Sequence, residues 1–157
     1  MQNIPRYLLF RLEIIWWLIT LVITSVILIP ILYQLPDYQF FWPNLAFVLV
    51  FITVTRYIFL LRYSFLANWS YVKVALIFVC FLTIFLLVQE INFFQTFLDE
   101  NGMEPIVATL PKDKQLNMMN YIRSEMLLFG VGSVIGCVVL PLRLVLSIWR
   151  RINGHED

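Results

Sequence analysis

Four long apolar runs, broken by short polar or aromatic segments, set the plan of this chain. They cover residues 10–33, 42–62, 71–94 and 122–149, and each is long enough to be a membrane-crossing helix, which needs about 20 apolar residues for a hydrocarbon core of roughly 30 Å. Stretches such as Ser25-Val26-Ile27-Leu28-Ile29 and Val74-Ala75-Leu76-Ile77-Phe78-Val79 show no alternation of apolar and polar residues, so they do not read as barrel strands. Backbone groups in lipid must be satisfied within the segment, and only helices do that without alternation. The pattern therefore predicts an all-α integral membrane protein, a four-transmembrane-helix bundle forming one membrane domain over residues 1–157. The first run starts with Arg6 and Arg11, as a signal peptide would. Its apolar part is too long, Glu13 interrupts its start and no small-x-small cleavage pattern follows, so it is expected to stay in the mature protein.

Composition sharpens this reading. Hydrophobic residues make up 61% of the 157 and charged residues 13%, against about 25% charged in a soluble domain. Neither a water-facing surface nor a disordered chain is built from such a mixture. The net charge of +1 offers no basic excess for nucleic acid. The only histidine, His155, stands in the tail, which excludes a haem held by paired histidines and a zinc site of the His-x-x-x-His kind. Glycine-rich phosphate cradles are absent, and no aspartate falls within a span. Cys80 and Cys137 lie inside apolar runs and read as small packing residues. No cofactor, metal ion or catalytic residue is expected.

The charges are sorted along the chain. With the N-terminus in the cytoplasm, Arg6, Arg11, Arg56, Arg62, Lys73, Arg143, Arg150 and Arg151 fall on the inner side, and Lys112, Lys114 and Arg123 on the outer. Eight bases against three predict that both termini are cytoplasmic. The first outer connection, 34–41, is short and aromatic, with Tyr38, Phe40 and Phe41 suited to the headgroup layer. The inner connection, 62–70, carries Tyr63, Phe65 and Trp69, and its Asn68-Trp69-Ser70 acceptor sequence has no meaning on that side. The outer segment 95–120 is the one sizeable extramembrane piece. Asp99-Glu100-Asn101-Gly102 resembles a helix end and Pro111-Lys112-Asp113 a fresh start, so helices three and four are expected to extend beyond the outer face. Pro141 is expected to kink the inner third of the fourth helix.

Ionisable groups within spans are rare and mark candidate sites. Glu13 lies about two turns into the first helix, with Trp17, Thr20 and Thr24 continuing its face, and Arg56 lies near the inner end of the second. A Glu13–Arg56 pair is expected, with Arg11 as a rival partner. At the outer end Glu90 on helix three lies at the depth of Arg123 and Glu125 on helix four, and a Glu90–Arg123 tie is expected. Gly130, Gly132, Ser133, Gly136 and Cys137 form a small-residue face on helix four, a surface for close helix packing or for oligomer formation.

Two functional readings follow. One is a non-catalytic polytopic subunit of a larger membrane complex, for assembly, anchoring or sensing, packing through the glycine-rich face of helix four. The other is a small oligomeric transporter or channel using Glu13 and Glu90. The scarcity of polar groups in the spans favours the first. The expected partners are the lipid bilayer and either further copies of the chain or other membrane subunits, and a bacterial inner membrane suits the compact loops.

Overall fold

The computed structural model describes residues 6–64, 66 and 69–153, with only the backbone at Arg6 and Arg62. Expectations that concern Phe65, Asn68, His155, Glu156 and Asp157 lie outside these residues. Five helices and one 3-10 turn account for the described structure, with no strand among the described residues. They are α1 (Arg6–Gln34), α2 (Phe41–Leu60), the 3-10 turn (Leu61–Tyr63), α3 (Ser70–Asn101), the single turn α4 (Glu104–Val107) and α5 (Lys112–Ile152). Four of them, α1, α2, α3 and α5, are long and apolar enough to cross a membrane. The chain is thus an all-helical, multi-pass integral membrane protein.

At 1.5 Å per residue α2, with 20 residues, spans about 30 Å, one hydrocarbon thickness. The 32 residues of α3 and 41 of α5 reach about 48 and 61 Å, so both outrun the bilayer. Much of the 95–120 segment is therefore helix rather than loop. α3 stops at Gly102, whose φ of 73° is a left-handed value, and its N–H donates to the Leu98 carbonyl at 2.9 Å. α5 starts after Pro111, which has an extended ψ of 143° and accepts from the Lys114 and Gln115 N–H groups. Between them α4 and the segment that follows it place Val107 and Leu110 in the core. α5 continues without interruption through the buried Pro141.

The helices alternate in direction, and each connection joins neighbouring ends. At the end near the chain termini, Arg151 Nη1 donates to Ser70 Oγ at 3.2 Å. At the far end, Tyr121 Oη donates to the Ile27 carbonyl at 2.9 Å. α5 is the centre, packed extensively against both α2 and α3, while α1 rests chiefly on α2 at the edge. Phe47, Val48, Met126, Leu140 and Leu144 are almost wholly buried along these seams. At the far end Phe40 meets Phe94 and Phe97 edge to face, each at 5.1 Å between ring centres. By contrast Phe78, Leu82 and Phe85 on α3 are each about two-thirds exposed, a surface that hydrocarbon solvates and water would not.

Candidate functional site

The small-residue face of α5 has its partner inside the chain. A β-carbon at Gly132 would sit 2.7 Å from the Phe51 ring, and one at Gly136 would sit 2.8 Å from Val54 Cγ1. One at Gly130 would sit 3.2–3.3 Å from the Ile91 and Phe47 side chains. Ser133 Oγ donates to the Phe47 carbonyl at 2.8 Å, a bond that needs the α2 backbone close by. These residues let α5 approach α2 where no hydrophobic drive acts between helices. Cys137 faces the other flank, thiol to thiol with Cys80 of α3. The same face is thus already occupied by α2 and α3, and an oligomer contact would have to lie elsewhere.

Three polar clusters lie within the helices. The first is at the termini end. Arg56 Nη2 and Glu13 Oε2 are 2.5 Å apart, with side-chain exposures of 4% and 19%. Tyr57 Oη donates to the other carboxylate oxygen at 3.1 Å. The guanidinium lies 5.7 Å from the Trp16 ring centre and 5.1 Å from that of Tyr57. Both charges are matched and walled in by aromatic rings. Arg11 is exposed, so Arg56 is the partner. Of the face expected to continue from Glu13, Thr20 and Thr24 are buried but Trp17 is half exposed, because Trp16 takes the inward position.

The second cluster lies at the far end. Asn44, wholly buried in the first turn of α2, donates from Nδ2 to Glu125 Oε2 at 2.6 Å. Tyr38, in the connection between α1 and α2, is buried beside them. Burial pushes its phenol up from the ordinary tyrosine value; the nearby Asn44 side chain opposes this and the Glu125 charge adds to it. The Tyr38 hydroxyl, Asn44 Oδ1 and Glu125 Oε1 are buried without a hydrogen-bond partner. The third cluster is Lys73, 1% exposed, donating from Nζ to Ser147 Oγ at 2.9 Å across α3 and α5.

Glu90 and Arg123 do not form the expected pair; Glu13–Arg56 is the ion pair among the described residues. Depth along the helix was matched, but direction was not. Arg123 is exposed and lines a polar surface hollow with Gln95, Asp99 and Glu104, between the extensions of α3 and α5. Asn44, Tyr38 and Lys73 were not singled out from the sequence. Tyr38 and Lys73 looked like interface residues because they stand at helix ends. Asn44 had a usable signal, as the one amide side chain in the second apolar run.

An open apolar groove of about 590 Å³ separates α1 from α2. Leu21, Leu28 and Ile29 line one wall and Leu45 and Leu49 the other. Thr20, Thr24 and Ser25 also line it. Thr20 Oγ1 donates to the Trp16 carbonyl at 2.8 Å, whereas the buried Thr24 Oγ1 has no partner. Among the described residues no group of three or more His, Cys, Asp or Glu side chains converges in a way that could hold a metal ion. No known protein family, no characterised protein and no solved structure matches the chain.

Proposed function

We propose that this protein is a non-catalytic subunit of a larger membrane complex, and that the groove between α1 and α2 receives a transmembrane helix of another subunit. The observation that carries the reading is the groove itself. α1 is clasped to α2 by the Glu13–Arg56 cluster at one end and tied to α5 by Tyr121 at the other, with a gap between. Ser25, only partly buried, brings a hydroxyl to that gap. A lipid chain offers no hydrogen-bonding group, whereas a helix brings backbone carbonyls and polar side chains, and hydroxyl residues are common where transmembrane helices meet. With both termini in the cytoplasm, as the eight-to-three bias of basic residues favours, the groove opens in the bilayer interior. A bacterial inner membrane is the setting that fits the compact loops.

The transport alternative finds less support. Glu13 has both oxygens engaged by Arg56 and Tyr57, and Glu90 lies on a different helix with no ion-pair partner among the described residues. The test is a photo-crosslinking amino acid placed at Leu21 or Ser25 in the full chain, in native membranes. A crosslinked product with a different membrane protein is expected. Crosslinks to a second copy would replace the foreign subunit with a homo-oligomer, and crosslinks to lipid alone would overturn the reading.

A further inference from the structure

The far-end cluster is out of electrical balance. Glu125 is 6% exposed, Asn44 0% and Tyr38 6%, and they come from three separate places, α5, α2 and the connection before α2. One of the two Asn44 N–H groups donates to Glu125 Oε2. The remaining amide oxygen and the remaining carboxylate oxygen are therefore both acceptors with nothing to accept from. The Tyr38 hydroxyl beside them can donate to one, not both. Tyr121, one turn before Glu125 on α5, spends its own hydroxyl on the Ile27 carbonyl. No lysine or arginine among the described residues forms an ion pair with Glu125 from any helix packed around it.

A carboxylate buried without a compensating charge is strongly disfavoured. A trapped water would satisfy the hydrogen bonds and leave the charge. A cation satisfies both, and small hard cations favour oxygen donors such as carboxylate and amide oxygens. The geometry points to a buried binding site for one small monovalent cation, held by Glu125, Asn44 and Tyr38. The chemistry is a single positive charge set against oxygen atoms, and it has two sources, a proton on the carboxyl or a sodium-sized alkali ion. This inference does not depend on what occupies the α1–α2 groove.

The experiment uses the purified full chain in lipid vesicles and in detergent, comparing the parent with Glu125→Gln. That change keeps the acceptor for Asn44 and removes the charge. Infrared spectroscopy reads the carbonyl band of a protonated carboxyl group, and thermal unfolding is followed while sodium chloride replaces choline chloride at constant ionic strength. A protonated-carboxyl band at neutral pH that is missing from Glu125→Gln assigns the proton as the occupant. A sodium-dependent rise in Tm of about 2–4 °C, missing from Glu125→Gln, assigns the alkali ion. Neither difference between the two chains overturns the site, leaving an ionised group with water at most. Should Glu125→Gln fail to fold, Tyr38→Phe serves. The carboxyl band or the sodium midpoint should then shift, and a Tyr38→Phe chain identical to the parent in both overturns the site as drawn.

Discussion

α2 is held on its two flanks in opposite ways. Toward α1 it relies on charge, a matched Glu13–Arg56 pair backed by Tyr57 and Trp16, beside a groove where the helices barely touch. Toward α5 it relies on close approach, with Gly132 and Gly136 admitting Phe51 and Val54 and with Ser133 bonded to the α2 backbone. The polar cluster on the second flank, Asn44 with Glu125, includes an acid and no base. The contrast shows what each kind of contact needs in hydrocarbon. Where the helices do not fit closely, full charge compensation holds them. Where backbones come within reach of each other, dispersion and hydrogen bonding hold the helices together without an ion pair.

The largest effect should come from breaking the charged flank. Arg56→Met leaves Glu13 largely buried without its partner, and a broken buried pair costs about 3–5 kcal/mol. Unfolding in mixed micelles should show that loss. The double variant Arg56→Met with Glu13→Gln should recover most of it, and no recovery would mean that the pair does not act as a unit. Next comes the packed flank. Gly132→Leu forces a side chain into the Phe51 ring, and overpacking of this kind costs about 1–3 kcal/mol. A spin label on α2 and another on α5 should move apart, while labels on α1 and α2 should keep their separation.

A smaller effect is expected for Ser133→Ala, which removes one bond to the Phe47 carbonyl and should cost about 1 kcal/mol in the same unfolding assay. The smallest concerns pH. Burial holds the Tyr38 phenol in its neutral form above the ordinary tyrosine range. Its contribution to stability is complete below the unfolded value of about 10 and falls as pH rises past it, because the unfolded chain then ionises while the buried phenol does not. Thermal scans at alkaline pH should show a shallower decline for Tyr38→Phe than for the parent.

How far each element was legible depended on what marks it. The spans were legible because a long apolar run has one economical structure in lipid. Glu13 and Arg56 were legible as partners because Glu13 is the one acid of the first span and Arg56 a base within the second near the same end, so depth brought them together. Glu90 and Arg123 shared a depth as well, yet α5 turns Arg123 outward toward Asp99 and Glu104. Depth follows from counting residues, whereas direction follows from how each helix is rotated against its neighbours. Asn44 and Lys73 were passed over for the same reason, since a polar residue near a helix end faces headgroups or core according to that rotation.

From the sequence alone come the helical class, the four crossings, the ends at Gly102 and Pro111, and the small-residue face on α5. These rest on local rules about backbone satisfaction, hydropathy, capping and side-chain size. Only the tertiary structure decided that α5 is central, that its glycines serve α2 within the chain, that α1 stands at the edge above a groove, and that Tyr38, Asn44 and Glu125 meet. The physical reason lies in the solvent. In water the buried and exposed faces of a helix differ in polarity and the sequence records which is which. In hydrocarbon both faces are apolar, as on α1 and α3, so the pattern carries no record of direction and packing alone chooses the neighbours.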